Sequence, residues 1–318
     1  MSSTAATTAS WPGARSATLA AGVTVVAWAS AFVAIRALGD SFDAGPLALG
    51  RLLIGSLALG TVLVLRRTWV PPTGREWALL TACGVAWFAV YNVALNAAEQ
   101  LLDAGTASML VNVGPILIAL LAGLLLGEGF PRWLVLGAGT AFVGAVLIGW
   151  AASEAAGVDP LGVVLSLLAA AAYAAGVLSQ KPAVRRLPTL QVTFTACAIG
   201  TVTCLPFTTA LAGQLQTASA GSVAGLVYLG MVPTALAFAT WAYALSRMDA
   251  GRLGVTTYLV PPLTITASWP LLGEAPVPLA LAGGALCLLG VAVSRRRTPT
   301  PASTRDTIEP GHPAGRER

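Results

Sequence analysis

Long uncharged runs dominate this chain. Residues 16–35, 77–98, 104–127, 133–153, 160–180, 253–273 and 275–294 contain no Asp, Glu, Lys or Arg. Each is close to the ~20 residues that carry a helix across bilayer hydrocarbon. Residues 44–65 make another such run, interrupted only by Arg51, and 187–246 is one uncharged stretch of 60 residues. Its middle, Gly213 to Ser222, is polar and contains glycines, so it reads as a turn between two crossings. The pattern predicts ten spans. Lipid cannot satisfy free backbone N–H and C=O groups, so a span is a helix or part of a closed barrel. The runs show no sustained period-two alternation and are too long for barrel strands. The expected fold is an all-α membrane protein.

Composition and charge then set topology. The chain is 56% hydrophobic and 10% charged, against roughly 25% charged in soluble domains. Arg15, Arg66, Arg67, Arg75, Arg132, Lys181, Arg185, Arg186, Arg247, Arg252 and Arg295 to Arg297 fall in alternate loops and termini. Asp40, Asp43, Glu99, Asp103, Glu154, Asp159 and Glu274 fall in the others. Lys and Arg collect in cytoplasmic loops, so both termini are expected in the cytoplasm, with the chain in an inner or plasma membrane. The net charge of +5 therefore reflects topology, and no nucleic-acid partner is expected. The first apolar run is longer than a secretion-signal core and is expected to be retained. Residues 1–16 and 296–318 are expected to be disordered tails. The four cysteines all fall within spans and form no C-x-x-C pair, which speaks for packing rather than metal or disulfide chemistry.

Two stretches repeat each other at an offset of 146 residues. Asp103-Ala104-Gly105, Pro115 and Leu125-Leu126-Gly127-Glu128 recur as Asp249-Ala250-Gly251, Pro261 and Leu271-Leu272-Gly273-Glu274; Gly137 and Gly144 recur as Gly283 and Gly290. The repeats are expected over residues 17–152 and 160–295. Five spans per copy is odd, so the second copy enters the membrane the opposite way up. Inverted repeats of this kind support alternating access, with a site near the midplane where the copies meet.

Several elements carry a family resemblance. They are Trp28 to Arg36 in the first span, aligned at offset 145 with Tyr173 to Lys181, and Leu49-Gly50-Arg51-Leu52-Leu53 in the second. Then come Ala107-Ser108 leading to Pro115, and Leu126-Gly127-Glu128 followed by Trp133 and Gly137. In this order, and duplicated, they resemble the drug/metabolite transporter superfamily, specifically proteins with two EamA-type domains, over about residues 17–295. The resemblance implies ten helices around a central cavity and export of small metabolites such as amino acids. One departure is Pro261-Pro262 with Pro270 in the ninth span, which puts a regular helix there in question.

Polar residues within spans tend to face a cavity or a partner. Asn92, Asn96 and Glu99 follow at i, i+4 and i+7, on one helix face, with Tyr91 beside it. The asparagines either contact substrate or hold neighbouring helices. Glu99 either sits at the interface or carries a coupling proton, since no His lies in any span. Asn112 and Tyr258 are repeat equivalents, each three residues before a proline, Pro115 or Pro261. Prolines free carbonyls and kink helices, so these positions either form part of a polar site or only shape the bundle. Arg51 either pairs with Asp43 or Glu99 or binds a substrate carboxylate. Arg36 is expected to snorkel outward. Trp28 and Trp241 are candidate cavity walls. Glu128 and Glu274 either bond nearby backbone or act in a gate.

The expectation is a secondary active exporter of small polar or amphipathic metabolites, acting as a monomer or homodimer in the bilayer, without cofactor or metal. No G-x-x-x-x-G-K-[ST] loop is present. A flippase or carrier for a lipid-linked or nucleotide-linked sugar is the alternative. A membrane-embedded enzyme fits poorly, because no intramembrane His could activate a Ser or Cys.

Overall fold

The computed structural model describes residues 12–102, 107, 110–153, 159–272, 278–294 and 296. Residues 1–11 and 297–318 of the expected tails, together with Asp103, Ser108 and Glu274, lie outside the described residues. Among the described residues the chain forms ten helical rods and no strand. They are α1 (Pro12–Leu38), α2 (Ala44–Arg66), α3 (Gly74–Leu101), α4 (Val113–Leu125) and α5 (Arg132–Ser153). The second five are α6 (Pro160–Ala183), α7 (Thr189–Thr203 with Leu205–Thr217), α8 (Ala220–Leu245), α9 (Ala250–Thr256 running on through Val260–Leu272) and α10 (Pro278–Ser294). The rods are unequal. Rods α1, α2, α3, α6 and α8 are each long and apolar enough to cross a bilayer, and α7 is a pair bent by 52°. Pro206 stands at that bend and removes a backbone donor. Helix α1 starts at Pro12, ahead of the boundary expected at residue 17; proline is preorganised for a first helical turn.

Local chemistry sets the helix ends. Thr73 and Glu76 form a capping box at the start of α3, with Thr73 N donating to Glu76 Oε2 at 2.7 Å. Asp159 caps α6 by accepting from Leu161 N at 2.7 Å, with Pro160 in the first turn. After α4 the chain turns at Gly127, whose φ of 69° favours glycine. That turn lets Glu128 N donate back to Ala122 O and swings the Glu128 side chain across the bundle. In α9 the proline pair tightens the helix into a 3₁₀ turn at Thr257–Leu259, while Pro270 is accommodated within the helix that follows.

The two halves are related by a two-fold axis across the bundle. A Cβ at Gly137 would lie 2.5 Å from Gly290 O, and one at Gly144 would lie 2.5 Å from Gly283 O. Positions 137 and 283 are repeat equivalents, as are 144 and 290. The contact is therefore reciprocal, and α5 and α10 run antiparallel. Equivalent helices that run antiparallel make the second copy an inverted one. The small residues let these backbones approach closely, as membrane helices do at glycine faces.

Residues that touch their own equivalents mark the axis. Ser56 and Thr201 share a hydrogen bond of 2.9 Å, and Cys287 Sγ donates to Ala141 O at 3.4 Å. The helices also share an internal device. Residues Gly84–Val90 of α3 and Gly230–Leu236 of α8 are π-helical, at the same offset of 146. Such wide turns are rare and cluster at functional sites.

Candidate functional site

The axis runs through a small aromatic-walled cavity. Tyr258 OH donates to Asn112 O at 2.9 Å, so this equivalent pair meets there. Trp28 and Tyr173, equivalent at offset 145, stand edge to face with ring centroids 6.3 Å apart. Beside this ring pair lies a cavity of about 50 Å³, bordered by Trp28, Trp87, Tyr91, Asn112, Pro115 and Tyr173 among others. Both repeats contribute walls. A second pocket of about 20 Å³ adjoins it, sharing Trp28, Phe32 and Tyr91, and adds Arg51 and Asn92.

The aromatic wall is one packed cluster. Trp28 is the hub, with ring centroids 6.0 Å from Trp87, 5.5 Å from Phe238 and 5.0 Å from Trp241. Trp241 is fully buried behind Trp28 and does not border the cavity. Tyr258 is also fully buried and reaches the site through its hydroxyl. Pro115 borders the cavity; Pro261 is buried next to the 3₁₀ turn.

The wide turns set the polar groups. In α3, Asn92 Nδ2 donates to Phe88 O at 2.8 Å and to Trp87 O at 3.3 Å. In α8, Pro233 has no N–H to offer the Leu229 carbonyl one turn back. Thr234 Oγ1 donates to that carbonyl at 2.8 Å and accepts from Arg51 Nε at 3.1 Å. Arg51 thus enters a relay ending on backbone. Asp43, one expected partner of Arg51, instead accepts from Gln214 Nε2 at 2.7 Å.

Asn96 and Glu99 share a face with Asn92 but not its surroundings. Asn96 Nδ2 donates to Ala44 O at 3.1 Å and ties α3 to the start of α2. Glu99 buries both carboxylate oxygens with no hydrogen-bond partner among the described residues. Arg51 and Arg36 are its charged neighbours. A bare buried carboxylate is costly, and a proton or a cationic guest relieves that cost. Arg36 itself is exposed, as expected.

One polar tie joins the halves at the bundle end that carries Lys181, Arg185, Arg186 and Arg247. Glu128 accepts from Ala250 N at 2.9 Å and Gly251 N at 3.1 Å, capping the start of α9. Carboxylates are favoured at helix N-termini. Lys181 Nζ lies 4.0 Å from Glu128 and donates to Leu245 O at 2.7 Å and to Met248 O, at the end of α8. Glu128 therefore does bond backbone, but that of the other repeat. At the same end Arg186 Nε donates to Glu76 Oε1 at 2.6 Å. This bond holds the Arg186 guanidinium above its ordinary pKa.

Trp87, Tyr173, Phe32, Thr234 and Lys181 carry more of these sites than sequence reasoning assigns them. The pairing of Trp28 with Tyr173 in the repeat alignment was the available signal for Tyr173, and Pro233 was the signal for Thr234.

Comparison with known proteins decides the family. The EamA-like transporter family matches residues 15–150 and 160–296. The chain belongs to the EamA-like transporter family. A "probable terminal-alkyne amino-acid exporter" of Streptantibioticus cattleyicolor is 38% identical over 281 residues, 87% of this chain and 92% of that protein. The "uncharacterized transporter YdfC" of Bacillus subtilis is 34% identical, across 83% of this chain and 86% of the relative. A "probable amino-acid metabolite efflux pump" of Salmonella typhimurium is 24% identical, across 85% and 91%. A crystal structure at 22% identity superposes with a TM-score of 0.72, covering 88% of this chain and 96% of the other, and supports the fold. This EamA-like transporter is thus a multi-pass membrane protein that handles a small-molecule substrate.

Proposed function

We propose that this EamA-like transporter exports amino acids or closely related metabolites by alternating access, with both termini in the cytoplasm of an inner or plasma membrane. The observation that carries the reading is the cavity on the axis between inverted repeats, walled by both. Its volume of about 50 Å³ is well below the ~300 Å³ of ordinary ligand pockets. Transport then involves expanded states that open towards each face in turn. The printed names of two relatives supply the amino-acid class. Glu99 is the proposed proton carrier, because its carboxylate is buried without a donor among the described residues.

Purified protein in proteoliposomes tests this. Leucine and propargylglycine loaded inside should exchange with external amino acid, and a proton gradient should drive accumulation. Glu99→Gln should abolish gradient-driven accumulation, by at least about tenfold, while leaving exchange. Accumulation by Glu99→Gln at the wild-type level dismisses the proton role. Gradient-insensitive equilibration by the wild type dismisses active export.

One observation favours the second reading, a carrier for a lipid-linked or nucleotide-linked sugar. An apolar cleft of about 470 Å³ opens between α1, α2, α7 and α8, towards the end of α2 that carries Arg66, and is lined by Val62, Met231 and Leu236 among others. Scrambling of a lipid-linked sugar in the same vesicles, without amino-acid exchange, would select that reading.

A further inference from the structure

We infer that Arg51 and Asn92 together recognise the charged ends of a zwitterion, so that the site takes free α-amino acids with apolar side chains. This rests on the exporter reading and goes beyond it by naming the groups recognised and the residues that recognise them.

Arg51 is only 4% exposed, within a helix of the bundle. Glu99 is a charged neighbour of Arg51 but not a paired one: no carboxylate lies within 4.0 Å of the guanidinium among the described residues. Its one hydrogen bond among the described residues runs from Nε to Thr234. That hydroxyl is oriented by its own bond to Leu229 O, so it can only accept from the arginine. The relay fixes the guanidinium while Arg51 borders the smaller pocket. A planar guanidinium held this way suits a carboxylate, which it grips bidentately.

Asn92 borders the same pocket and is 1% exposed. Its Nδ2 is committed to Trp87 and Phe88 carbonyls, which orients the amide. Its Oδ1 is buried with no donor among the described residues. A vacant acceptor thus borders the same pocket as a fixed cation. An ammonium group supplies the donor this oxygen lacks, and a carboxylate the acceptor the arginine lacks. The adjoining larger cavity, with Trp28, Trp87 and Tyr173, offers an apolar wall for a side chain.

Repeat symmetry argues against a packing role. At the offset of 145 that also relates Trp28 to Tyr173, the equivalent of Arg51 is Ala196; at 146, that of Thr234 is Phe88 and that of Asn92 is Phe238. The α7–α3 contact is built like the α2–α8 contact, since a Cβ at Gly84 meets Ala196 O and one at Gly230 meets Arg51 O. The same interface therefore closes without an arginine.

The test uses the full chain in detergent and in proteoliposomes. Leucine binding is read by intrinsic fluorescence, since Trp28 and Trp87 border the cavity, and leucine transport by exchange. Leucinamide, which lacks the carboxylate, and N-acetylleucine, which lacks the ammonium, should each bind at least about tenfold more weakly than leucine. Lysine should also compete poorly. Arg51→Lys keeps the charge and loses the fork, and should lose leucine binding while eluting as a folded protein. Asn92→Ala should narrow the gap between leucine and N-acetylleucine without narrowing that between leucine and leucinamide. Equal binding of leucine and leucinamide overturns the inference, as does wild-type leucine affinity in folded Arg51→Lys; both leave the exporter reading standing. Absence of binding and exchange for leucine and propargylglycine alike overturns both readings.

Discussion

The two repeats share a backbone and differ in chemistry. Both place a π-helical stretch at the same offset, in α3 and in α8, and both use a glycine there to meet a carbonyl of α7 or α2. Yet Arg51, Asn92, Asn96 and Glu99 of the first repeat have Ala196, Phe238, Ala242 and Leu245 as equivalents in the second. The lesson is a division of labour. Inverted copies need equal mechanics, because each must take the conformation the other has just left. They need only one set of polar groups, because the cavity on the axis is shared. Charge within a membrane is expensive, so a single set also limits the cost.

If the shared mechanics rest on close backbone contact at the axis, the largest effect should come from filling it. Gly137→Leu places side-chain atoms where a Cβ alone would meet Gly290 O and Ser294 N at 2.5 Å. Backbone on both sides cannot yield as a side chain could. The yield of monodisperse protein after solubilisation should fall at least about tenfold, in line with severe overpacking. Gly139→Leu, on the same helix with open space around its Cβ, should express as the wild type does. Equal yields would show that the glycine contact is not what joins the repeats.

A smaller effect should follow from loosening the tie at the basic end. Glu128→Ala removes a carboxylate that accepts two backbone N–H groups of α9 and leaves Lys181 without its nearest anion. Hydrogen bonds to charged groups contribute about 1.5–3 kcal/mol each, so thermal stability should drop by about 2 kcal/mol or more. Ser246 lines the polar hollow beside Glu128. A Ser246→Cys reporter should label faster in the Glu128→Ala background, and Glu128→Gln should fall between the two. Unchanged labelling would make the tie a static cap rather than a closure.

How far these features were legible in the sequence depends on their range. The helices were visible because uncharged runs report lipid burial directly. The inverted relation was visible because an odd number of spans per repeat forces it. The pairing of Asn112 with Tyr258 was visible as an equivalence, though contact between them requires that the axis pass there, and an offset alone does not place an axis. The π-helical stretches were not visible, since one wide turn leaves the apolar run unbroken. Asn92 and Asn96 look alike on a helical wheel. Only the tertiary structure sends one to the carbonyls of a wide turn beside the cavity and the other to Ala44 O. Trp87 and Tyr173 pack against each other with ring centroids 5.2 Å apart; what the sequence lacked was the void that both border.

The finest test concerns a single bond on the axis. Tyr258 OH donates to Asn112 O, joining equivalent positions of the two repeats beside Pro115. Tyr258→Phe keeps the ring and its burial and removes only the hydroxyl. The Asn112 carbonyl then loses one donor, with a second lone pair and nearby polar groups still available. A neutral hydrogen bond is worth about 1 kcal/mol net, so the expected loss is of that order, read as a small downward shift in Tm. If the bond only steadies the axis, exchange should continue at close to the wild-type rate. If it also holds the contracted state seen here, exchange should rise while stability falls. A fall in both would mean that the hydroxyl itself meets the substrate, and the polar chemistry would then extend into the second repeat.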